Sequence, residues 1–436
     1  MKIVVIGRGY VALSTATSLA VLGHNIVCVD DNVEIINSLS KAIPTINEQG
    51  FSELLARFVN NGQLQFTTNL VEAIQEADII ICGVVTQVNE VTGVADNTTI
   101  LRLAEQIGEN ITSSILYIST STIPLGTTRK VKSIVEEKLS ARNLKIKFDI
   151  ASLPEFLREG AAIESFLNPS KIVIGTDNTE SYRTIHALLS PVVKGDTHIY
   201  ATTVEEAELI KLSSNMLIAT RISYMNTIAG VCERMGSEYS QVHRAIFGEN
   251  MPIYAGAGYS GECFPKDIRT LIHGVEKLSA DATLLKAVEE FNQTHKLQLY
   301  NRLRDHYLGN LCGKRIVIWG LSTKPGGDDI ENTPSIAITE LLIQDGCTII
   351  VCDNKYASRK YKEKFPQDSV VISDNRMSAL LNADALIILS NSSEFKEIDL
   401  KEVKTLMKTP LILDAKNLFN NKDIEEADII YYKLFK

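Results

Sequence analysis

The sequence predicts an α/β protein in which two Rossmann-like, doubly wound domains are joined by a long central helix. Three observations favour this fold. Apolar runs typical of buried parallel strands alternate with helical segments in the N-terminal half, a long helical stretch without proline follows, and the opening pattern then recurs. A chain of 436 residues has room for two or three domains, which we place at residues 1–202, 203–300 and 301–436.

The N-terminal domain alternates between strand and helix. After the first apolar run, segment 8–24 carries a helical apolar period that ends near Gly23. Continuous apolar runs are needed where a parallel strand is buried on both faces, so the domain is expected to be doubly wound. The predicted strands are KIVVIG (2–7), IVCVDD (26–31), ADIIICGV (77–84), ILYIST (115–120), FDIASLP (148–154) and KIVIGTD (171–177).

The central segment from Thr203 is predicted to be helical. It contains EEAELIKLSSNMLIATRISYMNTIAGVCERMG, with no strand candidate and no internal proline. Its apolar positions cover more of the helix surface than burial against one domain needs. We therefore expect a spine helix that also forms the contact of a homodimer.

The C-terminal domain repeats the N-terminal pattern. In both halves the second strand ends in an aspartate, Asp30 or Asp353, as is typical of a Rossmann-like half. The four repeated segments are KRIVIWGLS (314–322), TIIVCDN (348–354), ADALIILSN (383–391) and PLILDAKN (410–417).

Composition and charge exclude several classes of function. The net charge of −9 and the pI of about 5.5 argue against a partner nucleic acid. No apolar run approaches the ~20 residues that cross a bilayer, and the N-terminal run contains Arg8, so a folded strand is expected rather than a signal peptide. The seven cysteines are scattered without metal-ligand spacing, which predicts no metal site and a reducing, cytoplasmic location.

The segment GRGYVA (7–12) follows a strand and opens a helix, giving G-x-G-x-x-A. Gly7 permits the tight turn, Gly9 lets a pyrophosphate approach the backbone, and Ala12 is small enough for close helix packing. Asp30 is placed to accept hydrogen bonds from a ribose diol and to repel a 2′-phosphate. The pattern predicts NAD rather than NADP, with a Rossmann-like turn that has lost its cofactor as the alternative.

The corresponding segment of the C-terminal domain, GLSTKPGG (320–327), lacks the dinucleotide spacing. A ligand other than a dinucleotide is expected there. Lys324 could meet a phosphate or remain a solvated loop charge, and this segment alone leaves both interpretations open.

Cys263 lies in a glycine-bearing loop within GYSGECFPKD (258–267), unlike the other six cysteines. A thiolate is a strong nucleophile toward an aldehyde, and the neighbouring glycines would leave room for a substrate. The segment by itself is compatible both with covalent catalysis and with a loop thiol that simply packs.

Two polar residues of the spine helix interrupt its apolar pattern. Lys211 and Asn215 are spaced i, i+4 and therefore point from one helix face. An ammonium and an amide in this arrangement could hold a developing oxyanion. The alternative is a pair of solvated helix residues.

Further polar residues follow two of the predicted strands. STIPLGT (121–127) and PEFLREG (154–160) lie where open α/β sheets bind ligands, and they supply Thr122, Glu155 and Glu159. The two glutamates are four residues apart, which suits one face of a short helical turn, or a structural pair of acids at a helix N-terminus.

Taken in order, GRGYVA, STIPLGT, PEFLREG, the Lys–Asn spacing and GECFPKD resemble one family along nearly the whole chain. It is the UDP-glucose/GDP-mannose dehydrogenase family, and within it the chain looks like the UDP-glucose 6-dehydrogenases, which oxidise a sugar C6 alcohol to a carboxylate with NAD. Such enzymes have an N-terminal NAD domain, a central dimerising helix and a C-terminal UDP domain. That division agrees with the one predicted from the residues.

The resemblance implies a catalytic role for several motif residues. Cys263 would capture the aldehyde from a first oxidation as a thiohemiacetal, which a second NAD oxidises to a thioester that water cleaves. Lys211 and Asn215 would steady the C6 oxygen, and Asp267 would position or deprotonate water. Two further members of the catalytic set are Thr122 and Glu159.

The resemblance also implies two sets of binding residues. The cofactor would contact Gly7, Gly9, Tyr10, Val11, Asp30, Thr86, Thr122, Glu159 and Lys266. The nucleotide-sugar substrate would contact Glu155, Phe156, Leu157, Arg158, Glu159, Lys211, Asn215, Tyr254, Gly258 and Lys324.

Several positions depart from the family pattern. VVTQ (84–87) lacks a usual glycine and proline, Ser260 stands for a glycine, Glu331 and Lys416 replace arginines, and segment 248–258 has no arginine to offer a partner subunit. An arginine lost beside a phosphate removes a bidentate contact, so affinity for UDP-glucose or NAD would be low. Alternatively the substrate is another nucleotide sugar, such as GDP-mannose or a UDP-N-acetylhexosamine, or the chain is a silent homologue. The complete catalytic set argues against silence.

Overall fold

The computed structural model describes residues 1–46, 48, 50–89, 91–158, 160–248 and 255–435, and the chain divides into two compact units. Unit 1 comprises Met1–Ser214 and Arg269–Ser279. Unit 2 comprises Asn215–Ile268 and Ala280–Lys436. Among the described residues, no helix combines the length and the apolar character that crossing a membrane requires.

Unit 1 contains one large sheet and a small hairpin. The strands are β1 (Ile3–Ile6), β2 (Ile26–Val29), β3 (Leu64–Thr67), β4 (Ile79–Cys82), β5 (Gln87–Val88), β6 (Ala95–Asp96), β7 (Ile115–Ser119), β8 (Phe148–Ser152), β9 (Lys171–Thr176) and β10 (His198–Thr202). The helices are α1 (Tyr10–Val21), α2 (Val33–Ser40), α3 (Phe51–Asn60), α4 (Leu70–Gln75), α5 (Thr98–Asn110), α6 (Thr127–Ala141), α7 (Ala162–Leu167) and α8 (Thr179–Leu189), followed by a 3-10 turn at Ser190–Val192.

The large sheet of unit 1 is a doubly wound Rossmann sheet. Its order is β10-β9-β8-β7-β4-β1-β2-β3, parallel throughout except that β9 runs antiparallel to β8. The part β3-β2-β1-β4-β7-β8 follows the dinucleotide-binding order. Strands β1 and β4 are buried along their whole length, with apolar clusters on both faces of the sheet, which is why their sequences are continuous apolar runs.

The predicted spine helix is confirmed as α9 (Val204–Met235), a helix of 32 residues within which the chain passes from unit 1 to unit 2. The absence of an internal proline allows this length, because proline removes a helical hydrogen bond. The helices that follow are α10 (Tyr239–Phe247), α11 (Cys263–Lys277), α12 (Thr283–His295) and α13 (Gln298–His306).

The sheet of unit 2 confirms the predicted repeat. Its order, β13-β12-β11-β14-β15-β16, reproduces the 3-2-1-4-5-6 order of unit 1, and its strands are all parallel. The strands are β11 (Arg315–Trp319), β12 (Thr348–Cys352), β13 (Val370–Ile372), β14 (Ala385–Ile388), β15 (Leu411–Asp414) and β16 (Ile430–Lys433). The helices are α14 (Pro334–Gln344), α15 (Lys355–Lys364), α16 (Arg376–Ala379), α17 (Ser393–Lys396), α18 (Leu400–Leu406) and α19 (Asn421–Ala427).

Candidate active site

The glycine turn between β1 and α1 is packed against the end of β4. Gly7 has a φ of +123°, and a Cβ on it would lie 2.7 Å from the carbonyl oxygen of Gly83. A Cβ on Gly83 would in turn lie 2.9 Å from the Cβ of Ala12. The first glycine and the alanine of GRGYVA are therefore required by the tight turn and by the close approach of α1.

The first turn of α1 fits the pyrophosphate of a dinucleotide. Gly9 is the N-cap residue, and among the described residues no side chain caps the turn, so the peptide N–H groups at this positive helix end can meet phosphate oxygens. A Cβ on Gly9 would lie 2.3 Å from Cγ2 of Val85, which occupies the position of the missing family glycine. The hydroxyl of Tyr10, the first residue of α1, donates to the carboxylate of Glu48 and accepts from the N–H of Gly160.

Asp30 directly follows β2, at the position expected for a ribose-binding acid. Its Oδ1 accepts hydrogen bonds from Nη1 of Arg8 at 2.7 Å and from the N–H of Asn32 at 3.0 Å. The glycine turn, the uncapped helix end and this carboxylate together fit NAD.

Two of the predicted site residues contact each other at the sheet edge. The hydroxyl of Thr86, which is buried, donates to the carbonyl oxygen of Thr122 at 3.0 Å.

The start of α6, after Thr122, is held by Glu208, whose carboxylate accepts from the N–H groups of Gly126 at 2.6 Å and Thr128 at 2.9 Å. Burial raises the pKa of Glu208. Sequence reasoning missed this glutamate, because nothing near it in the chain shows that it caps a distant helix.

The prediction of a helical turn within PEFLREG is wrong for the described part of the segment, since residues 153–158 are irregular. The Nζ of Lys211 donates to Oε1 and to the backbone carbonyl of Glu155, both at 2.8 Å. Oε2 of Glu155 accepts from the N–H of Leu157 at 2.7 Å. The ammonium thus takes a carbonyl that a helical turn would need. Glu159 lies outside the described residues.

Phe156 is placed between this ion pair and a second lysine. The Nζ of Lys171 lies 3.9 Å from the ring centroid and that of Lys211 lies 5.6 Å from it, so the ring faces two cations. Burial, reinforced by the charge of Lys211, lowers the pKa of Lys171. Sequence reasoning missed Lys171, which begins β9. Leu157 and the exposed Arg158 line, with Phe156, a cavity of about 390 Å³ behind the segment.

In unit 2, Cys263 is exposed and is the first residue of α11, where the helix dipole favours an anion. Lys266 and Asp267, one turn further, are both buried. The Nδ2 of Asn215 donates to Oδ2 of Asp267 at 2.6 Å. The structure therefore brings together the predicted amide and carboxylate, and the amide orients the acid.

The loop that precedes Cys263 owes its glycines to side chains that approach its backbone. Gly258 has a φ of +93°, and a Cβ there would lie 2.4 Å from Oδ1 of Asn292. Asn292 accepts from the N–H of Tyr259 at 2.9 Å and donates to its carbonyl at 3.0 Å. Gly261 has a φ of +99°, with a Cβ 2.9 Å from Oδ2 of Asp329. Room for these contacts, rather than room for a substrate alone, explains the glycines. Tyr254 lies outside the described residues.

Two further buried residues hold the start of the same loop. The N–H of Gly256 donates to Oδ1 of Asn226 at 2.8 Å, and its carbonyl lies 2.8 Å from Nε2 of His295. Burial lowers the pKa of His295. Sequence reasoning missed His295 and Asn292, which lie three residues apart on α12 and so share a helix face.

The loop after β11 is bonded to the aspartate that ends the second strand of unit 2. Oδ2 of Asp353 accepts from the N–H groups of Leu321 at 2.6 Å and Ser322 at 3.1 Å, and from the Ser322 hydroxyl. The carboxylate of Asp353, which follows β12, is therefore already bonded within the protein. Lys324 is exposed in this loop, and Glu331 forms an ion pair of 3.1 Å with Lys364.

Comparison with known proteins decides the family. Residues 1–193 match the NAD binding domain of the UDP-glucose/GDP-mannose dehydrogenase family, residues 205–294 its central domain and residues 317–421 its UDP binding domain. UDP-glucose 6-dehydrogenase of Pseudomonas aeruginosa is 32% identical to this chain over 438 residues, which cover 99% of this chain and 96% of that protein. The chain belongs to the UDP-glucose/GDP-mannose dehydrogenase family.

Other members of the UDP-glucose/GDP-mannose dehydrogenase family match along the full length. UDP-glucose 6-dehydrogenase TuaD of Bacillus subtilis is 33% identical over 444 residues, covering 99% of this chain and 93% of that protein. A UDP-glucose dehydrogenase of Pyrobaculum islandicum superposes with a TM-score of 0.88 at 29% identity, covering 100% of this chain and 97% of that one. The chain is thus an NAD-dependent nucleotide-sugar dehydrogenase. The described residues include no cluster of histidine, cysteine and acidic side chains that could hold a metal ion.

Proposed function

We propose that this dehydrogenase oxidises UDP-glucose to UDP-glucuronate, with Cys263 as the nucleophile. The observation that carries the proposal is an exposed thiol at the first residue of α11, with Asp267 one turn later and hydrogen-bonded to Asn215. The relatives from P. aeruginosa and B. subtilis named as UDP-glucose 6-dehydrogenases support this choice of sugar.

The proposed chemistry is a four-electron oxidation at C6. Two molecules of NAD, bound in turn, would supply the two hydride acceptors. In the first oxidation C6 of the alcohol loses a hydride and its hydroxyl loses a proton, which gives the aldehyde. Between the two oxidations, the Cys263 thiolate adds to the C6 aldehyde and the carbonyl oxygen takes a proton, which gives a thiohemiacetal. Loss of a hydride and a proton turns this adduct into a thioester. Water then adds, the C–S bond breaks, and the thiolate returns as the uronate leaves.

Other residues assist the oxygen atoms and the water. Lys211 and Asn215 donate to the C6 oxygen as negative charge develops on it. Asp267, oriented by the amide of Asn215, positions or deprotonates the hydrolytic water. Thr122 and Glu159 complete this set, the former at the sheet edge where Thr86 fixes its backbone.

Each set of proposed binding residues draws on both units. NAD is proposed to contact Gly7, Gly9, Tyr10, Val11, Asp30, Thr86, Thr122, Glu159 and Lys266. The nucleotide sugar is proposed to contact Glu155, Phe156, Leu157, Arg158, Glu159, Lys211, Asn215, Tyr254, Gly258 and Lys324. We propose the domain division 1–202, 203–300 and 301–436, which is close to the ranges that the three family models match.

The test counts NADH formed per sugar consumed. Purified protein with NAD is offered UDP-glucose, UDP-N-acetylglucosamine, UDP-galactose and GDP-mannose. Two NADH per UDP-glucose are expected, and the Cys263→Ser variant should lose at least about a thousandfold in rate because the weaker nucleophile blocks the second oxidation. The exposed Cys312→Ser variant is the matched control and should keep full activity.

Each outcome separates the alternatives. Two NADH per another sugar would retain the chemistry and change the substrate. Normal uronate formation by Cys263→Ser would contradict the nucleophile. No NADH with any sugar, despite sugar binding, would favour the silent homologue.

A homodimer is proposed from the surface of α9. Leu217, Tyr224 and Val231 recur every seven residues on this helix, are 46–61% exposed, and continue to Met235, which is 72% exposed. A second copy would bury this apolar stripe. Sedimentation equilibrium should show a dimer, and Tyr224→Glu should give monomers. A wild-type monomer at micromolar concentration would contradict the proposal.

We also propose a cytoplasmic location, in which a reducing compartment keeps the seven cysteines free, as they are in this structure. Recovery of the protein in an exported fraction would contradict it.

A further inference from the structure

The acid proposed to meet the cofactor ribose is paired with an arginine from the glycine turn. Nη1 of Arg8 donates to Oδ1 of Asp30 at 2.7 Å and lies 3.4 Å from Oδ1 of Asp31. Arg8 is the residue between the two glycines of the turn, so its side chain starts beside the proposed pyrophosphate site. A lone carboxylate at this position would repel a 2′-phosphate, but the paired guanidinium offsets part of that repulsion.

Arg8 offsets half of the negative charge at this corner of unit 1. Asp30 and the fully exposed Asp31 together carry two negative charges, and Arg8 returns one positive charge. A 2′-phosphate adds a charge of about −2 and several acceptor oxygens. With the arginine present, the phosphate meets one net negative charge and a cationic hydrogen-bond donor rather than two carboxylates.

Arg8 is also able to contact a ligand. Its side chain is 42% exposed, and in the described part of the chain both of its hydrogen bonds come from Nη1. A guanidinium has five N–H donors in a planar fork, which matches phosphate oxygens. A ribose diol, by contrast, donates to Asp30 and would compete with Arg8 for it.

We propose that Arg8 is a specificity-determining residue of the cofactor site that weakens the rejection of NADP. By neutralising Asp30 and offering free guanidinium donors to a 2′-phosphate, it brings the affinities for NADP and NAD closer together than the aspartate alone would allow. The inference rests on the proposed contact between Asp30 and the ribose, and it is independent of the sugar substrate.

The experiment is calorimetric titration of the full-length protein with NAD and with NADP, without any sugar, at low ionic strength. Arg8→Ala is expected to raise the ratio of the NADP to the NAD dissociation constant about tenfold, the loss of one charge-assisted hydrogen bond. Arg8→Lys keeps the charge without the fork and should raise the ratio less. Arg102→Ala, an exposed arginine of α5 that gives the same charge change, should leave the ratio unaltered.

Two results would overturn the inference, and they are distinguishable. A ratio that stays constant or falls in Arg8→Ala, while Asp30→Ala shifts it toward NADP, would remove the role of Arg8 and leave the ribose contact in place. If Asp30→Ala changes neither affinity, the ribose contact itself is wrong and the inference fails with it. Far-UV circular dichroism verifies that each variant is folded, and Arg8, at 42% side-chain exposure, contributes little to stability through its ion pair.

Discussion

The sheets of the two units share one strand order, yet the loops after their first strands are built differently. In unit 1 the chain passes from β1 through the glycine turn directly into α1, whose first turn is capped by no side chain in the described part of the protein. In unit 2, residues 320–333 separate β11 from α14, and Asp353 accepts three hydrogen bonds from that loop. The equivalent Asp30 accepts no backbone N–H from the glycine turn among the described residues; it bonds to the side chain of Arg8 in that turn and to the N–H of Asn32. The same strand order can therefore leave backbone N–H groups available to a ligand, as in unit 1, or bond the polar groups of the loop within the protein, as in unit 2.

In the loop before Cys263, as in the loop after β11, polar backbone groups are bonded within the protein. Asn292 binds both backbone groups of Tyr259, and Asn226 and His295 bind the two backbone groups of Gly256. Buried side chains therefore fix the path of the chain toward Cys263. This type of support favours a defined thiol position, because the supporting residues are held by packing.

The largest expected effect separates the two aspartates. Asp353→Ala should lower the free energy of unfolding by about 2–3 kcal/mol, because three loop donors lose a charged acceptor. Asp30→Ala should lower it less, by about 1 kcal/mol, since only the N–H of Asn32 and the partly exposed Arg8 lose their acceptor. Urea denaturation of each variant measures the difference.

Affinity for NAD should show the opposite order. Asp30→Ala is expected to weaken NAD binding about tenfold by removing the ribose acceptor, while Asp353→Ala leaves it unchanged. Equal losses of stability in the two variants, or equal losses of NAD affinity, would contradict the assignment of Asp353 to loop stability and of Asp30 to cofactor binding.

Sequence patterns predicted the strands that are buried on both faces. Such strands, for example β1 and β14, are continuous apolar runs and leave no ambiguity. Strands β3, β10, β13 and β16 were not predicted. They lie at the sheet edges and are short or partly accessible, so apolar runs in their sequences are absent, as in β3, or brief, as in β13.

The candidate site was predictable where chemistry is concentrated in a short motif. The glycine turn and the Asn215–Asp267 pair came from such motifs. Glu208 and Asn292 did not, because each acts on backbone groups distant in sequence, and only the fold brings these together. The irregular path of residues 153–158 has the same origin, since Lys211 captures the carbonyl of Glu155 from 56 positions away.

The smallest expected effect concerns His295 and tests whether buried side chains hold the loop before Cys263. Burial keeps its pKa in the folded state below the ordinary 6.5, so below that pH the unfolded state binds more protons than the folded state. As the pH falls through 6.5, the free energy of unfolding of the wild type should therefore decrease more steeply than that of His295→Gln. Glutamine can still donate to the carbonyl of Gly256 but does not titrate. Exposed His198→Gln is the control and should keep the wild-type slope. Parallel slopes for wild type and His295→Gln would show that the histidine can take up a proton without disturbing the loop.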